Sequence, residues 1–330
     1  MDLIQSLTPF VSDFADPKKR IFVGYLGLSV LIAFLWLVFV KRQSLQNAFS
    51  RVFDRRVFFS KSSMADYQIF LINRVFTLFV SPLLITQVAI ATSIYFTLHK
   101  QSFISPGFFE DASKPLVVAG FSLTLFLADD LTKYFLHRWM HKWPPLWAIH
   151  KVHHSAETLT PITVYRVHPL EGVLYALRSA FAQGLVLPIF IFAFGKTVDL
   201  YTVVGVNVLV FLFHVTGSNL RHSHINISYW PWLERILISP AQHQLHHSTA
   251  EKHFDKNFGA ALALWDWCFG SLHLSEKDDD LTFGLPQEEA SATNLADIYL
   301  RPFRDTWRYC LRRYHRLGRA HQKQTSPGTD

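Results

Sequence analysis

Apolar residues in this chain come in long runs rather than in alternation. Residues Ile21–Val40 hold no charge and are bracketed by Lys18-Lys19-Arg20 and Lys41-Arg42. Such a run is long enough to cross a bilayer, because a helix rises about 1.5 Å per residue and the hydrocarbon core is about 30 Å thick. It is too long for a secretory signal and lacks the small-residue cleavage site of one. Val75–Leu98 is a second uncharged run, broken only by Pro82, which a lipid-embedded helix tolerates. Pro115–Leu136 is a third, with Asp129, Asp130 and Lys133 in its last turns. Ser179–Gly195 and Leu200–Leu220 are the fourth and fifth, separated by the polar turn Lys196–Asp199.

The pattern predicts an all-α integral membrane protein of four to five spans, with the helical segments between them forming a cap. It divides into an N-terminal membrane region, 1–114, a central region, 115–275, and a basic tail, 276–330. Composition agrees: half the residues are hydrophobic and only 17% are charged, against about 25% in an average soluble domain. Two cysteines, Cys268 and Cys310, exclude a disulfide framework and a zinc knuckle.

Charge sets the expected orientation. The loop after the first run holds Lys41, Arg42, Arg51, Arg55, Arg56 and Lys61, and the segment from Arg301 onward holds eight Lys or Arg against two Asp. Basic loops stay cytosolic, so 41–68, 137–172 and 221–330 are expected on the cytosolic side, of a bacterial inner membrane or of the endoplasmic reticulum. The basic tail is read as a contact for anionic headgroups. No nucleic-acid fold signature accompanies it. Glu276–Asp280 reads as a solvated loop, and the residues from Gln322 on as frayed.

Histidine carries the chemistry. There are seventeen, and twelve fall between His137 and His247. They form His137-x-x-x-His141, His150-x-x-His153-His154 and His243-x-x-His246-His247, with His168, His222 and His224 between the boxes and His214 inside the fifth run. Residues three and four apart share a helix face, so each box presents imidazoles close enough for one ion to bridge. The three boxes supply eight ligands, more than one tetrahedral zinc can use, which points to two metals. Imidazole suits iron, zinc, copper and nickel, so ligand type alone leaves the metal open. Isolated His99, His315 and His321, and also His253 and His273, are read as ordinary surface or core residues.

These boxes resemble those of the fatty acid hydroxylase superfamily, also called the sterol desaturase family. The resemblance runs from about Asp129 to Ser271 and includes Arg166–Pro169, Ser239-Pro-Ala-Gln-His243, Asp255-Lys-Asn-Phe-Gly259 and Trp265-Asp-Trp-Cys-Phe-Gly270. Ser271 stands where the family often has Thr. The resemblance implies two iron ions, dioxygen as co-substrate, and oxidation of an unactivated C–H bond of a lipid (fatty acyl, sterol or related) at the cytosolic membrane face. Carried over residue by residue, the ligands are His137, His141, His150, His153, His154, His243, His246 and His247. His222 and His224 occupy the stretch where the family has further ligands and are included. His154 and His246 are expected to be indispensable for oxidation.

Ligand histidines usually hand their second nitrogen to a carboxylate or carbonyl. Asp129, Asp130, Glu157, Glu171, Asp255 and Asp266 are the candidates. Asp130, two turns before His137 and inside an apolar run, is expected to act at the site or its channel. Trp139, Trp143 and Trp147 are read as interfacial anchors. No dinucleotide fingerprint or flavin motif is visible, and two cysteines cannot hold an iron–sulfur cluster, so electrons are expected from a separate reductase or a cytochrome b5-like or ferredoxin-like carrier. Hydroxylation is the leading reading, with desaturation on the same site beside it. A metal transporter would place its ligands mid-span, and a zinc hydrolase would carry a Glu within the box; neither pattern is present.

Overall fold

The computed structural model describes residues 13–17, 19–80, 84–195, 203–276, 281–285 and 294–325, excluding the side chains of 203–207 and 317–325. Within these bounds the chain is helical, and its only β pairings are two isolated bridges, Leu237 with Leu262 and Ser248 with Phe283.

Helix α1, Val23–Leu35, continues as a π-helical turn, Trp36–Val40. Helix α2, Leu45–Val52, starts at Ser44, whose hydroxyl accepts the Asn47 N–H at 3.2 Å. Its apolar face, Ala48 and Val52, packs on Ala33 and Leu37 and on Leu220, Ile225 and Ile227. A short α3, Arg55–Phe58, leads into α4, Lys61–Val80, and then α5, Gln87–Lys100. Helix α6, Lys114–Lys142, is 29 residues long and turns at Trp143 into α7, Pro144–His154. Helix α8 covers Pro169–Phe194 and α9 covers Val203–Phe213, ending in a π-helical turn, His214–Ser218. Helix α10, Pro240–His246, begins with a capping box between Ser239 and Gln242. A five-residue α11, Leu264–Cys268, and the long α12, Leu295–Thr325, complete the order.

Three of these helices are long and apolar enough to cross a membrane: Val23–Val40, Lys114–Lys142 and Pro169–Phe194. The second expected run is divided between α4 and α5, because Thr86 caps a new helix by accepting the Ala89 N–H at 3.2 Å. At 14 residues α5 reaches only about 21 Å. The fourth expected run is the second half of α8, which starts at Pro169. The turn at Lys196–Asp199 and the first residues of the fifth run lie outside the described residues, as do Lys277–Asp280 and the end of the tail.

Polar residues fail to stop α6 because its neighbours satisfy them. Asp129 accepts from Lys133 at 2.6 Å and from Arg178 of α8 at 2.8 Å. Phe121 and Leu125 of α6 pack on Val186 of α8. On its other side α8 meets α5 so closely that a Cβ on Gly184 would fall 2.8 Å from the Ile90 Cβ, so only glycine fits there. Helix α12 lies on α7: Ile298 packs with Val152 and Ile69, and Asp305 pairs with the buried Lys151 at 2.7 Å.

Candidate metal centre

Four segments meet where α6 and α7 turn on one another. Helix α6 brings His137 and His141, one turn apart on its last two turns. Helix α7 brings His150, His153 and His154, a 3-10 turn brings His222, and α10 with its cap residue brings His243, His246 and His247. The rings sort into two groups. His137, His141, His150, His154 and His246 form one, and His153, His222, His243 and His247 the other, with the candidate ligand atoms of each group within 4.8 Å of one another. His154 and His247, with ring centroids 4.5 Å apart, join the two.

Three rings in the first group are fixed from behind. His137 Nδ1 donates to the Phe258 carbonyl at 2.8 Å, and His246 Nδ1 to the Lys256 carbonyl at 2.7 Å. His150 Nδ1 meets Glu171 Oε1 at 2.9 Å, both side chains being buried. A carbonyl can only accept, so the proton sits on Nδ1 and the lone pair on Nε2 faces the group. The buried Nε2 atoms of His141, His150, His154 and His246 meet no hydrogen-bond partner, nor does either nitrogen of His247.

In the second group His222 Nε2 stands 3.1 Å from His153 Nε2 and 3.0 Å from His243 Nε2. Two nitrogens each about 2.1 Å from one ion and at right angles would lie about 3.0 Å apart. The spacing therefore fits a shared cation, as do the unpartnered nitrogens, which would otherwise be costly to bury. Burial, reinforced by neighbouring rings, pushes the imidazoles of His150, His154, His222, His243 and His247 well below their ordinary range. Burial likewise takes His246 down to about 4 and His153 to about 3. These rings are neutral at neutral pH, the state in which a histidine ligates. All-imidazole surroundings suit iron, zinc, copper or nickel.

Loop 255–263 is clasped to α6. Asp130 accepts the N–H groups of Ala261 and Leu262 at 2.9 and 3.0 Å and the Trp265 indole N–H at 3.0 Å. Asp266 accepts from Phe258 and Gly259 at 2.8 and 2.7 Å and from the Ser271 hydroxyl at 2.6 Å. Asp130, expected at the site or its channel, thus spends its oxygens on the loop that supports His137 and His246. Of the six candidate carboxylates, Glu171 is the one that meets a gathered histidine. His224, expected beside His222 as a ligand, lies outside both groups, with Nε2 donating to the Arg51 carbonyl at 2.6 Å.

The Arg166–Pro169 element supports α7 and α8. Arg166, fully buried, pairs with Asp66 at 2.7 Å and donates to Ser155 Oγ at 2.9 Å, holding the end of α7. His168 caps α8 by accepting the Leu170 N–H and meets the Tyr299 carbonyl, both at 3.2 Å, so neither nitrogen turns to the groups. His214 meets Ser218 Oγ at 2.9 Å. Sequence reasoning missed the carbonyls of Lys256 and Phe258, which no side-chain motif reveals, and Arg20, whose Nη2 stands 3.4 Å from His222 Nδ1. A recess of about 300 Å³ opens onto His141, His154, His246 and His247 between Trp147 and Phe254.

Residues 122–271 match the family model described as fatty acid hydroxylase. The chain is similar to alkylglycerol monooxygenase of Danio rerio, 28% identical over 160 residues, which is 48% of this chain and 32% of that protein. The Homo sapiens protein of that name is 26% identical with the same coverage. The Delta(7)-sterol 5(6)-desaturase of Saccharomyces cerevisiae is 25% identical over 283 residues, 84% of this chain and 68% of that protein. The chain thus spans only 32% of the length of the two monooxygenases. No solved structure matches it significantly.

Proposed function

Because residues 122–271 match the fatty acid hydroxylase family model, we propose that the chain is a membrane-bound di-iron oxygenase that hydroxylates an unactivated C–H bond of a lipid. The observation that carries this reading is the pair of adjoining groups, five and four histidines, all but His141 buried, several of whose ring nitrogens meet only one another or no hydrogen-bond partner. Desaturation on the same centre is the second reading, favoured by the similarity to a sterol desaturase over 84% of the chain. Side-chain acids and bases cannot remove a proton from an alkane carbon, so the oxidising power is the metal's own.

The balance is one dioxygen, two electrons and two protons per lipid, giving the alcohol and water; desaturation gives the alkene and two waters. The electrons come from a separate carrier. In this reading, His137, His141, His150, His154 and His246 hold one iron and His153, His222, His243 and His247 the other. Glu171 and the carbonyls of Phe258 and Lys256 fix the rings they touch, and loop 255–263 keeps water from the rings behind it. The recess beside Trp147 admits the reacting carbon. The site faces the cytosol, with Val23–Val40, Lys114–Lys142 and Pro169–Phe194 in lipid. Leu300, Phe303, Trp307, Leu311 and Tyr314 form an exposed stripe along α12, with Arg304 and Arg308 at its edge. That face suits anionic headgroups.

The test is expression of the full chain in a lipid-producing host with elemental analysis of the purified protein. Two irons per chain and host lipids that gain one oxygen atom support hydroxylation. Loss of two hydrogens without oxygen selects desaturation. Iron-loaded protein that changes no lipid under either carrier class refutes both.

A further inference from the structure

Helix α2 starts five residues after Val40, where the first apolar run ends, and it is apolar over more of its surface than it buries. Leu45, Phe49 and Phe53 are 66%, 59% and 46% exposed, and the Phe49 and Phe53 rings meet at 4.9 Å. At about 100° per residue, these three continue the arc begun by buried Ala48 and Val52. Gln46, Asn47, Ser50 and Arg51, all exposed, occupy the rest of the circumference. A helix whose far side meets water would end its apolar arc where the core ends. Here the arc runs on for about 80° into open surface.

The place of α2 accounts for the excess. The Gln43 N–H donates to the Leu37 carbonyl at 3.0 Å and Arg42 takes a left-handed backbone, φ 54°, so the chain turns sharply at the end of the run. Ala48 and Val52 then rest on Ala33 and Leu37, which lie about 10 and 5 Å short of Val40 along the helix. Over that stretch the first run itself exposes Leu35, Phe39 and Val40. The bare face of α2 is thus level with the apolar end of a span, at the depth of about 5–10 Å where interfacial helices embed.

Charge chooses the leaflet. Between residues 41 and 61 stand Lys41, Arg42, Arg51, Arg55, Arg56 and Lys61, all exposed, against one acid, Asp54, which Arg56 holds at 2.8 Å. An acidic protein approaching from water would answer the charges and leave the Phe49 and Phe53 rings uncovered below it. We propose that α2 and α3 form a half-immersed anchor that gathers anionic lipid, with Phe49 and Phe53 among the acyl chains and the flanking Lys and Arg at the headgroups. The buried face of α2 also packs on Leu220, Ile225 and Ile227, on either side of His222, so the leaflet reaches the four-histidine group through one helix. The inference rests on the membrane-bound part of the reading above and not on oxidation.

The experiment uses the full chain, with the exposed Cys268 and Cys310 changed to Ser, in nanodiscs of phosphatidylcholine and phosphatidylglycerol. Phe49→Cys or Asn47→Cys carries a nitrobenzoxadiazole fluorophore. At position 49 its emission should be blue-shifted and quenched by lipid spin-labelled high on the acyl chain. At position 47 aqueous iodide should quench it instead. Energy transfer from position 49 to a trace of headgroup-labelled phosphatidylglycerol should report about fivefold enrichment over labelled phosphatidylcholine, the worth of one surface cation at an anionic leaflet. Raised salt, or Lys41→Gln, Arg51→Gln and Arg55→Gln together, should remove that preference and leave the blue shift. Iodide quenching at position 49, equal transfer to both lipids, or a preference that survives salt and substitution would each overturn the proposal. Shielding from both quenchers would give the face to a second copy of the chain and overturn it too. A chain stripped from membranes by salt alone would defeat the membrane-bound reading itself, and this inference with it.

Discussion

In the five-histidine group, His137, His150 and His246 each turn Nδ1 toward an acceptor: two carbonyls and Glu171. In the four-histidine group the neighbour behind His222 is a cation, Arg20, at 3.4 Å from Nδ1. An acceptor behind an imidazole fixes its tautomer and makes the facing nitrogen a better donor. A guanidinium has only protons to offer; it favours the lone pair on Nδ1 and so the proton on Nε2, the atom that faces His153 and His243. The same side chain is therefore prepared for a metal in one group and opposed in the other. We expect the two ions to differ in affinity, the four-histidine ion leaving first under a chelator.

The sharpest break is His154→Ala in the five-histidine group, expected to lower lipid oxidation by more than about a hundredfold, measured as product per protein. Glu171→Gln removes the carboxylate and keeps the shape. It should weaken the tighter ion by roughly 10–100-fold in equilibrium dialysis, and equal loss from both groups would erase the contrast. In the metal-stripped chain, His246 is held down to about 4 and His153 to about 3 by burial, whereas unfolded imidazole titrates near about 6.5. The unfolded state then binds more protons between those values, so stability should fall as pH drops from about 6.5 toward 3, with the His246 share spent below about 4. Melting curves across that range check the sign. Smallest is Arg20→Gln, which should tighten the weaker ion by about fivefold, the effect of one removed charge at moderate screening. Unchanged extraction kinetics would mean that Arg20 does not oppose the metal.

The histidine boxes were visible in the sequence because they sit on helices, where spacing of three and four is spatial adjacency. Their partition was not. His153 lies between His150 and His154 in one box yet faces the other group, because successive residues on α7 turn by about 100° and rings from α10 decide which ion each meets. His222 ends a 3-10 turn and His224 lies in the bend that follows it, where no helical period applies, and only the structure separates them. Asp130 sits on the expected face of α6, but the exposed N–H groups of Ala261 and Leu262 claim it. Glu171 was one carboxylate among six until the fold set it behind His150. The apolar runs showed which segments are lipid-like; they could not show that Asp129 would be neutralised by Lys133 and Arg178, allowing α6 to continue as far as Lys142.

The clasp of loop 255–263 bears on how the protein is made. Lys256 and Phe258 support rings from two distant helices, and each histidine group joins residues before 155 to residues after 221. While the ribosome is still translating the middle of the chain neither group is complete, so on the proposed reading α6 meets the bilayer with its two imidazoles unfilled. On that reading metallation is a late event in biogenesis, and a nascent chain arrested before His243 would lack three of the nine rings and leave neither group complete.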